Sequence, residues 1–119
     1  HTAPSDIYTL SLHDALPISM YQFIEKYDPY ILSAASSRDP TSKIGKMKWL
    51  AKNTKFKKSR INLVMRSQKQ QYAITGGKPN ILIDDYMKNI NEWEKKGGIG
   101  VHHTDPRKTI GELKRLGFK

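Results

Sequence analysis

Asn80-Ile81-Leu82-Ile83-Asp84-Asp85 is the stretch on which the reading of the chain turns. Three large aliphatic residues in a row, with no polar alternation, suit a parallel strand covered on both faces. A strand over Asn80–Asp84 that ends in two carboxylates therefore places charge at one end of a buried sheet. Downstream, the spacing predicts a helix over about Lys88–Lys96 with Ile90 and Trp93 inward and Gly97 just past its end. A strand follows over Ile99–His103, and then a helix capped by Asp105, with Pro106 at its first position, Ile110 and Leu113 inward and Gly117 after it. Upstream, Gly76-Gly77-Lys78-Pro79 reads as a stop and turn, Ser67–Thr75 as a short helix and Ile61–Met65 as a strand. Further back lies a helix from Thr41 or Ser42 to about Asn53, its buried stripe made by Ile44, Met47, Leu50 and Ala51. It is preceded by a strand over Tyr30–Ala34 and a helix over Tyr21–Tyr27 that Asp28-Pro29 ends. Strands alternating with helices over short connections mean a parallel α/β sheet.

The 119 residues carry a net charge of +10 and no cysteine. That length suits one globular domain. Without cysteine there is no disulfide scaffold, thiolate zinc site or thiol nucleophile. No stretch approaches the roughly 18 apolar residues of a membrane-spanning helix, and no Lys or Arg precedes an apolar run at the N-terminus, so a cytoplasmic protein without a membrane partner is expected. The charge suits a polyanionic partner, whether nucleic acid, nucleotide or phosphate. It is unevenly spread. Residues 1–19 contain no Lys or Arg, whereas Met20 onward holds all 21 basic residues. The string Tyr8 to Ser19 also resembles a translated sequencing adapter, so residues 1–19 read as an artefactual leader and residues 20–119 as the native part.

In open α/β sheets, ligands bind beyond the carboxyl ends of the strands. Those ends offer Ser33, the segment Arg66 to Lys69, the pair Asp84-Asp85 and the pair His102-His103. Hard carboxylate oxygens suit Mg²⁺, an ion that keeps several waters and takes one or two protein carboxylates. Asp84 or Asp85 would equally serve as a helix N-cap. The Ser33 hydroxyl can donate to a phosphoryl oxygen, and Lys69 can neutralise the same group. The histidine pair is a poor metal site, because neighbours on a strand point to opposite faces.

At these residues the chain resembles the haloacid-dehalogenase-like phosphohydrolases, and among them the 5′(3′)-deoxyribonucleotidase-like proteins of phage and bacteria. The likeness spans most of Met20–Lys119 and rests on YILSAASSRDP, RSQKQQYA and above all NILIDDYMKNINEWEKKGGIGVHH. It implies a Rossmann-like parallel sheet with helices on both faces and a Mg²⁺-dependent hydrolase of nucleoside monophosphates working through an aspartyl-phosphate. It further implies that Ser33 and Lys69 hold phosphate, that Lys69 also stabilises the nucleophile, and that Asp84 and Asp85 bind Mg²⁺. The family's DxDxT motif, which supplies nucleophile and general acid, occurs nowhere in this sequence. The resemblance thus describes residues 20–119 as the C-terminal part of such a domain, missing its central first strand and inactive; Ile7–Leu12 (IYTLSL) could mimic that strand and bring Asp14 near the site, but one displaced Asp cannot supply two roles.

Two other readings stand beside it. Lys43 to Arg60 contains eight Lys or Arg residues, enough for a small basic protein that binds nucleic acid electrostatically. Few aromatic residues interleave with them, so a solvated helix face and loop explains the same stretch. A sheet lacking its central strand would instead be an unstable fragment with unpaired edges.

Overall fold

The computed structural model describes residues 6–9, 18–34, 44–45, 47–48, 52 and 57–119. Five strands form one sheet: β1 (Ile7–Thr9), β2 (Tyr30–Ala34), β3 (Ile61–Val64), β6 (Ile81–Asp84) and β7 (Ile99–His102). Between β3 and β6, the short strands β4 (Ile74–Thr75) and β5 (Lys78–Pro79) make a separate antiparallel hairpin. The large sheet runs β3-β2-β1-β6-β7, and every pairing in it is parallel. Its helices include α1 (Ile18–Ile24), α2 (Met87–Lys95) and α3 (Pro106–Arg115), and the described residues 44–45, 47–48 and 52 are helical as well. A mixed α/β fold with a parallel sheet is therefore what the alternation predicted. Among the described residues no helix is long and apolar enough to cross a membrane.

One expectation is corrected at the centre of the sheet. The central position is filled, and Ile7–Thr9, inside the stretch set apart as a leader, fills it. Ile7, Tyr8 and Thr9 pair with Ile81, Leu82 and Ile83 on one side, while Tyr8 and Thr9 pair with Tyr30 and Ile31 on the other. All three are buried. β-branched and aromatic residues suit a slot between two covered strands, where each backbone group must find a partner. Residues 18 and 19 likewise begin α1, ahead of the Tyr21 start that periodicity suggested. That helix passes at Glu25–Tyr27 into a 3-10 turn and stops at Asp28, in the left-handed region at φ 48°, ahead of Pro29.

Side-chain alternation sorts the core onto two faces. Ile7, Ile81, Ile83 and Val101 face α1 and α3, where Met20, Ile24, Leu113 and Phe118 cover them. Tyr8, Leu32 and Leu82 face α2 and the segment leading to the hairpin, packed by Ile90, Trp93 and Ala73. Ile31, Ile61 and Leu63 form a third cluster, against which Met47 packs. Ile44, expected in the same buried stripe, is 55% exposed. The rest of the expected Thr41–Asn53 helix lies largely outside the described residues, Leu50 and Ala51 included.

The expected Ser67–Thr75 helix is also revised. Arg66–Tyr72 is a 3-10 helix, after which the chain enters the hairpin. Gly76 and Gly77 both take positive φ, 57° and 78°, which allows a two-residue turn whose twist matches the strands it joins. Further on, Gly97 (φ 96°) ends α2 as predicted, but Gly98 and Gly100 do more than turn the chain. A Cβ at Gly98 would lie 2.2 Å from Trp93 Nε1 and one at Gly100 2.6 Å from Ile90 Cγ2, so their missing side chains let α2 settle on β7. Trp93 then donates its Nε1–H to the Asn80 carbonyl at 2.9 Å, which locks the helix to the start of β6.

Candidate functional site

Strand order places the site before any residue is considered. From β1 the chain builds outward through β2 and β3, and then returns to the other flank of β1 with β6 and β7. The crevice beyond the carboxyl ends of β1 and β6 is the point at which the winding direction reverses, where sheets of this kind bind ligands. Thr9 closes β1 and Asp84 closes β6, the register setting Thr9 beside Ile83.

Asp84 is 2% exposed and held by three donors. Its Oδ2 accepts from Lys69 Nζ at 2.8 Å and from Asn89 Nδ2 at 3.1 Å, and its Oδ1 accepts from the Tyr86 amide at 2.9 Å. The last bond turns the chain between β6 and α2. Neither aspartate is the N-cap of α2, a position held by Tyr86 without a side-chain cap bond. Lys69 is 6% exposed and comes from the 3-10 helix packed over the same sheet face. Two buried charges in direct contact are costly to bring out of water, and removing either partner leaves the other uncompensated.

Around this pair a second layer fixes the geometry. Asn89 is buried on the inward face of α2, one turn before Trp93. It donates to Asp84 and accepts from Arg66 Nη1 at 3.0 Å. Arg66 also grips Glu92 with both terminal nitrogens, at 2.9 and 3.4 Å. The hydrogen bond from Arg66 lowers the Glu92 carboxyl pKa, and its counterpart raises that of the guanidinium. Asn89 was missed as a partner of the site, while Arg66 opens the strand-end segment singled out from the sequence but was given no role there. A polar residue on the inward stripe of a predicted helix, four positions before Trp93, was the available signal for Asn89.

The structure brings Lys69 and Asp84 together and spreads the other predicted residues along the same edge. Asp85 follows β6 with its side chain exposed. Ser33 is buried near the end of β2, but alternation puts it on the face of Ile31, opposite to that of Leu32, Leu82 and Asp84. Thr9 lies on the face of Ile7, fully buried, and its Oγ1 has no hydrogen-bond partner among the described residues. Each histidine has its own engagement: His102 Nε2 lies 3.0 Å from the Asp85 carbonyl oxygen and His103 Nδ1 lies 2.8 Å from Thr109 Oγ1.

In the basic stretch, Arg60 is occupied structurally. It donates to the Asp28 carbonyl at 2.8 Å and stands 4.3 Å from the centre of the Tyr30 ring. Tyr30 stacks in turn on Tyr8, whose hydroxyl pKa burial pushes up to about 12. Lys48, Lys52 and Lys57 are exposed, whereas Lys43, Lys46 and Lys55 lie outside the described residues.

Carboxylate oxygens are the donor type a hard divalent cation takes. Asp84 Oδ1 has accepted one hydrogen bond and keeps a lone pair, and the Asp85 carboxylate adjoins it in sequence on the exposed side. Compared with protein-family models, curated proteins and solved structures, the chain matches none.

Proposed function

We propose that the crevice at the ends of β1 and β6 is a phosphate site of a Mg²⁺-dependent phosphomonoester hydrolase, of the haloacid-dehalogenase-like, 5′(3′)-deoxyribonucleotidase-like kind, that takes (deoxy)nucleoside monophosphates. The buried Lys69–Asp84 pair at the switch point of the sheet carries the reading. Lys69 Nζ has three N–H donors, and Asp84 takes one, the single acceptor it has among the described residues. A phosphoryl group would supply acceptors for the others while Asp84, braced by Asn89 and the Tyr86 amide, holds the ammonium in place. Asp84 and Asp85 would hold Mg²⁺, which when bound offsets the charge of the phosphoryl oxygens. Ser33 is assigned to phosphate by the resemblance alone, since its buried side chain lies on the sheet face opposite to Lys69 and Asp84.

No DxDxT motif is present to supply the nucleophile of an aspartyl-phosphate route, so this chain is assigned binding without turnover. Calorimetry with inorganic phosphate tests the site. Binding that requires Mg²⁺ and weakens at least about tenfold in Lys69→Met, in protein shown by circular dichroism to be folded, is the expected result. Phosphate affinity indifferent to Lys69→Met would remove the proposal. Mg²⁺-dependent release of phosphate from deoxynucleoside monophosphates, abolished by Asp84→Asn, would overturn the assignment of an inactive chain.

A further inference from the structure

Five large apolar residues remain exposed among the described residues, and three of them follow carboxyl ends of strands: Met65 after β3, and Tyr86 and Met87 after β6. Met65 follows β3 and leads into Arg66; Tyr86 and Met87 follow the two aspartates. We propose that Tyr86 is a stacking platform for the base of a nucleotide whose phosphate lies at Lys69, an inference that rests on the phosphate-site reading above.

Three observations support this. First, Tyr86 and Lys69 are tied to the two oxygens of one carboxylate: the Tyr86 amide donates to Asp84 Oδ1 at 2.9 Å and Lys69 Nζ to Oδ2 at 2.8 Å. An anion at Lys69 and a flat group at Tyr86 can therefore belong to one small molecule. Second, Tyr86 is 49% exposed, and the Arg66 guanidinium stands 6.0 Å from the centre of its ring. Arg66 is fixed independently by Glu92 and Asn89, so the cation is already placed when a ligand arrives. Third, the adjoining Met87, 46% exposed, adds flexible, polarisable surface that can adapt to rings of different size. A sugar phosphate has no flat apolar face to cover this surface. A nucleoside monophosphate carries the anion and the planar ring together, and a base stacks on an aromatic side chain whatever its hydrogen-bonding edge.

The test uses the full chain, Mg²⁺ and three probes: deoxyadenosine monophosphate, ribose 5-phosphate and deoxyadenosine. Titration calorimetry should show Tyr86→Ala weakening the mononucleotide about tenfold while leaving ribose 5-phosphate unchanged, with Tyr86→Trp restoring the affinity. Because Tyr86 is half exposed and its bond to Asp84 uses the backbone amide, the fold does not depend on the substitution. Equal losses for the mononucleotide and the sugar phosphate, or no loss for the mononucleotide, would overturn the platform. If ribose 5-phosphate fails to bind but deoxyadenosine binds through Tyr86, the platform stands and the phosphate site falls. Absence of binding by both deoxyadenosine and its monophosphate removes the platform itself.

Discussion

The two strands at the middle of the sheet, β1 and β6, lie side by side in register but are secured differently. β6 is tied at both ends. Asn80 donates from its side chain to the Tyr72 carbonyl and to Thr75 Oγ1, both at 2.8 Å, and accepts from Trp93, while Asp84 collects three donors at the far end. β1 has only three residues and ends in a buried hydroxyl without a partner among the described residues. Tyr8 secures its middle by stacking on Tyr30, with ring centres 4.7 Å apart, and by tilted contacts with Tyr72 and Trp93. Ladder hydrogen bonds and apolar side-chain contact are enough to seat a strand between two others, whereas the strand that bears the site is also held by directional side-chain bonds, which set where a carboxylate points.

The largest effect expected from breaking this contrast is at Asp84. Asp84→Ala strands the Lys69 ammonium in a buried position and should lower the unfolding free energy by about 3–5 kcal/mol, measured by urea denaturation. Replacing both members together, as Asp84→Leu with Lys69→Met, should recover most of that loss, because two apolar groups leave no charge unpaired. A single substitution that costs below about 1 kcal/mol would show the pair to be screened like a surface ion pair, and the difference between the two strands would vanish.

Thr9→Val should act in the opposite direction and more weakly. An unsatisfied buried hydroxyl costs about 1–3 kcal/mol, and valine keeps the β-branched shape that the slot accepts. A gain of about 1 kcal/mol in urea unfolding is the expected outcome. A loss of stability would mean that the Thr9 hydroxyl has a partner in solution and that β1 is anchored as firmly as β6.

The same contrast explains what could be read from the sequence. β6 announces itself through Ile81-Leu82-Ile83 and its two aspartates, and the elements after it carry local signals: Gly97 past α2, and Asp105 with Pro106 opening α3, where Asp105 accepts from the Arg107 amide at 2.7 Å. β1 offers no such run. Ile7–Leu12 has strand-like residues, but the central place of Ile7-Tyr8-Thr9 comes from Ile31 and Ile83 on either side, a fact about distant segments that no local pattern contains. The hairpin was hidden for a similar reason, since Ile74-Thr75 extends a helical reading until two positive-φ glycines fold it back on Lys78-Pro79. At the site, the strand-end rule and the family likeness singled out Lys69 and Asp84. Their direct bond, and the bracing by Asn89 and Arg66, depend on how the 3-10 helix crosses α2, which spacing along the chain does not reveal.

The smallest effect concerns pH and the turn that joins β7 to α3. Burial lowers the His103 pKa below its ordinary value, with the Asp85 and Asp105 charges acting in the opposite sense. A histidine that is harder to protonate when folded takes up fewer protons than the unfolded chain as pH falls, so acid draws the equilibrium toward unfolding. Its contribution is whole above the ordinary histidine pKa of about 6.5 and is lost as pH falls through the lower, folded value. Protonation also turns Nδ1 into an obligate donor, leaving the Thr109 hydroxyl, 2.8 Å away and buried at the start of α3, able only to accept. His103→Asn, which keeps a polar group beside Thr109 but does not titrate, should flatten the fall in thermal midpoint between neutral and mildly acidic pH while shifting the neutral value little. An unchanged slope in that variant would assign the acid sensitivity to other groups, and the turn after β7 would then count as held by Asp105 and Pro106 alone.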